Sequence, residues 1–528
     1  MTVVGTVLTH SKDDFTFITK YQFKAGEFVC YLMNCNHILA RVRHTEPLND
    51  YPVEFLFDAV IDASDLAAFY GLDNNDYQYY RVSAAVVGYF DRTFNEFVNP
   101  RVKPLSGTKI ELADAQILSD VNRVSKGEVG SAHIGTIMGT NSGAVLSVRE
   151  MVSQHLSIIA ATGAGKSYTV GVIVEELMSK NNMASVLIFD PHGEYSVLSD
   201  IQDNPAFCGD DYRPKVKIVK SDQIKIRVSD LRVADFISIM DDGSMTEKMK
   251  TFFKKAYDKL KKDDKRKIRN FTKNELQETI ESLRDGKNES TIEAILWRYK
   301  IITAEKMFDD YQTIPLRSYF QPGQLTIIDV SNIGEWKQQL IADILLRHLF
   351  DARKGTDNEY YSEHKHPDRY IPYPTFIILE EAHRFAPQAG EAKSKNMLKT
   401  ILSEGRKFGI GIAMVTQRPS KLDADSLSQC MTQITMRIIN PSDQKQIEQS
   451  IESVSRDLIE ELPSLARGQA IISGVAINTP VTVSIRSRCT AQIRGQSKDA
   501  PGIWRAYKLE QDSNTIVTAP SHKLNVGV

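Results

Sequence analysis

Between Ala160 and Ser167 the chain reads A-A-T-G-A-G-K-S, a small-residue loop closed by a lysine and a hydroxyl residue. Small residues let successive backbone N–H groups turn inward around a phosphate, and a helix starting there adds its positive end. In such a loop Lys166 bridges the β- and γ-phosphates of ATP, and the Ser167 hydroxyl serves Mg2+. Thr162, Gly163, Ala164, Gly165 and Tyr168 complete the expected cofactor-binding set. One position departs from the pattern. Ala160 stands where the first glycine belongs, which an alanine can do only with a negative φ.

A second group of residues could complete the reaction. The run F-I-I-L-E-E-A-H-R-F, Phe376 to Phe385, ends four apolar residues in two adjacent carboxylates. Successive side chains of a strand point to opposite faces, so the pair can divide two tasks. Glu380 is the candidate for the Mg2+ shell, reaching the ion through water. Glu381 is the candidate to orient and polarise the attacking water. Phosphoryl transfer needs both, because its catalysis is chiefly positioning and charge neutralisation.

These residues need a scaffold that presents them at one edge. From His155 onward, short apolar runs alternate with longer helical patterns: Leu156–Ala160, Val186–Phe189, Leu325–Ile328, Phe376–Leu379 and Ile410–Val415. Strands apolar throughout and separated by helices indicate a parallel sheet covered on both faces. Several end in Asp190, Asp329, Glu380 or Thr416, at the strand ends where open α/β sheets bind ligands. The fold class expected is α/β, a RecA-like parallel-sheet core at residues 151–242 and 311–488. Before it, residues 1–150 carry short strands broken by turns, which predicts a small N-terminal β-barrel and a connecting segment; I-G-T-I and A-V-L-S-V are grouped with them. Residues 243–310, highly charged with apolar residues at helical spacing, read as an inserted helical subdomain. Gly468 to Arg488 reads as a hairpin with V-A-I-N-T-P at its loop. Residues 489–528 form a C-terminal segment and a polar tail expected to be flexible.

Several motifs together resemble one family. A-T-G-A-G-K-S, F-D-P-H-G-E-Y (Phe189–Tyr195), L-E-E-A-H-R-F, E-G-R-K-F-G-I-G (Glu404–Gly411) and V-T-Q-R-P (Val415–Pro419) are similar to those of the HerA family of hexameric DNA-translocating ATPases, within the HerA/FtsK group. The early strands and the late hairpin resemble the family's barrel and C-terminal elements. The resemblance implies that Asp190, His192 and Glu194 lie beside the nucleotide. It implies that Arg406 is an arginine finger reaching a neighbour's ATP, and Gln417 a polar sensor of the γ-phosphate. A guanidinium fork suits the oxygens of a transferring phosphoryl group. It further implies a homo-hexamer on double-stranded DNA, with a partner nuclease (NurA-like) or another defence effector. In such a ring the loop Ala386–Lys399, carrying Lys393, Lys395 and Lys399, suits contacts to DNA phosphates rather than bases.

Composition limits the alternatives. Lysine and arginine number 65 against 67 acidic residues, a net charge of −2, so no global field draws nucleic acid. The five cysteines, Cys30, Cys35, Cys208, Cys430 and Cys489, lack the spacing of a disulfide or zinc framework. No run of about 18 uncharged apolar residues suggests a membrane span, and the N-terminus lacks a basic leader. A cytoplasmic location is expected. Two other classes stay open: a protein-handling ATPase like the conjugation and secretion motors, and a ring whose ATP mainly stabilises assembly. Acceleration of hydrolysis by duplex DNA separates the first from a DNA motor, and measurable turnover excludes the second.

Overall fold

The computed structural model describes residues 2–10, 15–49, 78–94, 96–209, 211–241, 243–262, 270–450, 456–490 and 500–517, with Asp65 and Phe69. The polar tail from residue 518 lies outside them. The segment before it is a helix, Ala500–Val517.

The first seven strands are β1 (Val3–His10), β2 (Phe15–Thr19), β3 (Phe28–Met33), β4 (Asn36–Asn49), β5 (Gln78–Asp91), β6 (Glu96–Val98) and β7 (Lys109–Leu112). Six of them run in the order β2-β1-β7-β3-β4-β5 and close by pairing β5 with β2, while β6 hangs on β5. Closure removes the unpaired edges that a small open sheet would expose. Alternation sets the interior: Phe15, Phe17, Val29, Tyr31, Ile38 and Val82 pack together inside.

The second sheet has eleven strands. They are β8 (Ser131–Ile137), β9 (Gly143–Ser147), β10 (Leu156–Ile159), β11 (Ser185–Asp190) and β12 (Lys215–Lys220), then, past the two-residue pair β13 (Ile226–Arg227) and β14 (Phe308–Asp309), β15 (Gln324–Asp329), β16 (Thr375–Leu379), β17 (Ile410–Thr416), β18 (Thr432–Met436), β19 (Gln469–Gly474) and β20 (Val481–Ile485). Their order is β12-β15-β11-β16-β17-β10-β18-β19-β20-β8-β9. From β12 to β18 the neighbours are parallel. The remainder is antiparallel. All five apolar runs are strands of the parallel part. Phe376 and Ile378 face the side of the helix Lys166–Leu177, whereas Ile377 and Leu379 face that of the helix Glu335–Asp357. Each face is covered, as uninterrupted apolar strands require.

One grouping is corrected. I-G-T-I and A-V-L-S-V are not barrel strands: they lie in β8 and β9, which extend the core sheet beyond the β19–β20 hairpin. That hairpin, whose loop is Val475–Pro480, would otherwise leave β20 as an open edge. The helix carrying the phosphate loop fixes β8 there, because Glu176 Oε2 accepts the His133 N–H at 2.9 Å.

Between β13 and β14 lie the helices Val233–Met240, Glu247–Lys262, Lys273–Glu281 and Glu289–Thr303. Phe236, Phe253, Tyr257 and Tyr299 stack at their centre. Among the described residues, no helix is long and apolar enough to cross a membrane.

Candidate nucleotide site

The strand order determines what can meet. β17 lies between β10, which leads into the phosphate loop, and β16, which ends in the two glutamates. The C-terminal ends of these three parallel strands therefore deliver Ala160, Glu380 and Gln417 to one edge.

Gly165 precedes the helix Lys166–Leu177 with φ of 116°, and Gly163 has φ of 79°. A side chain is strained at both. Ala160 keeps a negative φ, so alanine is accommodated in place of the first glycine. The first N–H groups of the helix have no intrahelical acceptor and face the loop.

Lys166 Nζ donates to Glu380 Oε1 and, at 2.7 Å, to Glu381 Oε1. Burial works against the ammonium, yet the two carboxylates hold its pKa above the usual lysine value. Glu380 is 1% exposed, and its Oε2 accepts the Tyr195 hydroxyl at 2.8 Å. Burial pushes the Glu380 carboxyl up to about 7 despite Lys166.

Glu381 adopts φ of 52°, a left-handed conformation costly for a non-glycine residue. This turns the backbone sharply after β16 and aims the side chain at Lys166. Its Oε2 is buried without a hydrogen-bond partner. His383 Nδ1 is only 3.2 Å away, but it bonds the Thr416 hydroxyl at 3.0 Å instead. A buried carboxylate oxygen with spare accepting capacity, beside the phosphate-loop lysine, fits a water held for attack.

The segment F-D-P-H-G-E-Y divides its work. Asp190 accepts three backbone N–H groups, from His192 at 3.1 Å, Gly193 at 2.8 Å and Tyr195 at 3.0 Å. Its role is to fix the loop. Glu194 Oε2 accepts the Ser167 hydroxyl at 2.9 Å. His192 Nε2 stands 3.9 Å from Glu381 Oε1. Gln417 Oε1 accepts the Thr162 hydroxyl at 2.8 Å, linking β17 to the phosphate loop. Tyr168 points away from this cluster: its hydroxyl accepts the Arg488 N–H at 2.8 Å, and the Arg488 guanidinium lies 5.8 Å from its ring.

Lys166, Ser167, Glu194, Glu380, Glu381 and Gln417 are thus brought together, and these residues fit ATP with Mg2+. Arg406 is elsewhere. It is exposed in the turn Gly405–Phe408, before the N-terminal end of β17, and lines a cleft of about 640 Å³ with Lys354, Ser403 and Lys407. The length of β17 puts it roughly 20 Å from Gln417. The expected loop Ala386–Lys399 is corrected: its last five residues begin the helix Lys395–Glu404, so of the three lysines only Lys393 is on a loop. Lys395 pairs with Asp423 at 3.2 Å, and Lys399 with Asp423 and Asp425 at 3.0 Å each. Lys393 lies 5.3 Å from the Trp336 ring, and burial lowers its pKa to about 8. Sequence reasoning did not single out Tyr195, although it closes the quoted segment F-D-P-H-G-E-Y.

Comparison with known proteins gives the following. The family described as "Helicase HerA, central domain" matches residues 132–349. A probable helicase of Methanocaldococcus jannaschii is 28% identical over 514 residues, covering 95% of this chain and 94% of the relative. The DNA double-strand break repair helicase HerA of Pyrococcus furiosus is 28% identical over 440 residues, 74% of this chain and 75% of that protein. Among solved structures, VirB4 of Thermoanaerobacter pseudethanolicus aligns with a TM-score of 0.45 and 14% identity, covering 69% of this chain and 98% of that one.

Proposed function

We propose, from the match of residues 132–349 to the HerA central domain and from the likeness to helicases 28% identical over most of the chain, that this is a HerA-type, ATP-driven motor for double-stranded DNA, working as a hexameric ring. In this reading ATP draws Lys166 from Glu380 and Glu381 to its β- and γ-phosphates. Glu381, relieved of that partner, accepts a hydrogen bond from water and orients it toward the γ-phosphorus. The new P–O bond forms to the water oxygen as the bond to the β–γ bridging oxygen breaks, leaving ADP and phosphate. Gln417, joined to Thr162, reports the γ-phosphate to β17. Mg2+, when bound beside Ser167, neutralises charge on the phosphate oxygens.

The observation that carries the ring is the separation along β17. Lys166, Glu381 and Gln417 stand at its C-terminal end, and Arg406 at the other. Arg406 therefore has no reach to its own chain's phosphate loop, which supports the reading that it serves a neighbour's. The family likeness supports duplex DNA as the track, with phosphate contacts from Lys393 and from Lys395 and Lys399 at the start of the helix Lys395–Glu404. A partner nuclease or other effector would dock on the barrel, whose surface exposes Val3, Leu8, Tyr21 and Leu32. Duplex DNA should accelerate ATP hydrolysis by the assembled protein. Turnover indifferent to duplex DNA would sink the motor reading and favour a protein-handling ATPase.

A further inference from the structure

In the nucleotide site, one acidic residue already holds the hydroxyl that would serve the metal, and it is not Glu380. Ser167 Oγ donates to Glu194 Oε2 at 2.9 Å. Glu380 is turned elsewhere, its Oε1 committed to Lys166 and its Oε2 to the Tyr195 hydroxyl at 2.8 Å. When ATP takes Lys166 away, Tyr195 still occupies one oxygen of Glu380.

Glu194 and Tyr195 are adjacent, and the loop that carries them is fixed from below. Both Asp190 oxygens are consumed by the N–H groups of His192, Gly193 and Tyr195. Gly193 supplies the left-handed turn at φ of 70°, where an added Cβ would meet the Ser331 hydroxyl at 3.2 Å. The turn sends Glu194 toward Ser167 and buries Tyr195 against Glu380. Glu194 is half-buried, and Ser167 Oγ is the partner of its Oε2.

We infer that Glu194, rather than Glu380, takes the water shell of the Mg2+ beside Ser167, with Asp190 and Gly193 as the residues that position it. Glu380 then serves as the resting counter-charge of Lys166. This assignment rests on the ATP-binding reading above. A carboxylate in this outer position orients a metal-bound water, and removing such a residue costs about 10- to 100-fold in metal affinity.

The test is binding of a fluorescent ATP analogue to the full chain, in chelator and across a Mg2+ titration. The unaltered chain, Glu194→Gln, Glu194→Ala and Glu380→Gln are compared, with Mn2+ affinity measured separately by electron paramagnetic resonance. Both Glu194 variants should bind nucleotide normally in chelator and need about 10- to 100-fold more Mg2+ or Mn2+. Glu380→Gln should keep the metal requirement of the unaltered chain, without the loss of about 10- to 100-fold. Equal metal requirements in Glu194→Gln and the unaltered chain would overturn the assignment, as would a metal defect confined to Glu380→Gln. Failure of the unaltered chain to bind any nucleotide would overturn both the assignment and the reading beneath it.

Discussion

Lys166 and Glu380 form a buried ion pair across 214 residues of sequence, with Glu381 on the same ammonium at 2.7 Å. The lysine expected to grip phosphate is therefore held, before nucleotide arrives, by the two carboxylates expected to act on metal and water.

Without Lys166, Glu380 and Glu381 lose their counter-charge and must either stay buried as anions or take up protons at a cost. Lys166→Ala should destabilise the nucleotide-free protein by about 3 to 5 kcal/mol. Adding Glu380→Gln should recover part of that loss, because the neutral amide needs no counter-charge. Urea denaturation of the single and double variants checks this. Equal stability of Lys166→Ala and the unaltered chain would mean the pair is not formed in solution.

A pH dependence follows from His155. It is 2% exposed, with Nδ1 accepting the Ile412 N–H at 3.1 Å and Nε2 3.0 Å from the Leu402 carbonyl. Burial lowers its pKa from 6.5 to about 4. Between those values the unfolded chain binds more protons than the folded one. The stability is full above about pH 6.5 and declines as pH falls toward 4, by about 3 kcal/mol in all. Denaturation midpoints at pH 7 and pH 5 should separate more for the unaltered chain than for His155→Gln. Identical separations would refute the buried neutral imidazole.

Asp423 restrains two of the three lysines proposed to meet DNA. Asp423→Asn keeps an oxygen to cap the helix Ala424–Ser428, as Asp423 does for the Ser426 N–H at 3.0 Å. It removes the charge that engages Lys395 and Lys399. Duplex affinity should rise, and its salt dependence should steepen by about one to two phosphate contacts. Unchanged affinity at low salt would remove these lysines from the DNA surface.

The parallel sheet was legible because β10, β11, β15, β16 and β17 are apolar from end to end. β12, K-V-K-I-V-K, is an edge strand with exposed lysines, and β18, T-Q-I-T-M, buries threonines and a glutamine, so neither carried the apolar signature. β8 and β9 were assigned by their neighbours in sequence, whereas the sheet edge they cover is built from residues 469–485. In the site, the phosphate loop and the E-E pair could be read from residue type and spacing. The bond from Ser167 to Glu194 and the clamp of Asp423 on Lys395 and Lys399 could not, because side-chain partners depend on how distant loops approach. The left-handed backbone of Glu381 has no sequence signal either.

The central claim is that the site is shared between chains, and one mixing experiment addresses it directly. Arg406→Ala should bind ATP with unchanged affinity and lose about a thousandfold or more in turnover. Lys166→Ala should fail to bind ATP while keeping its Arg406. Mixed in equal amounts and allowed to reassemble, the two inactive variants should regain measurable DNA-stimulated hydrolysis, from interfaces that pair an intact Lys166 with a neighbour's intact Arg406. Rings shown to contain both variants yet silent at every mixing ratio would contradict the shared site.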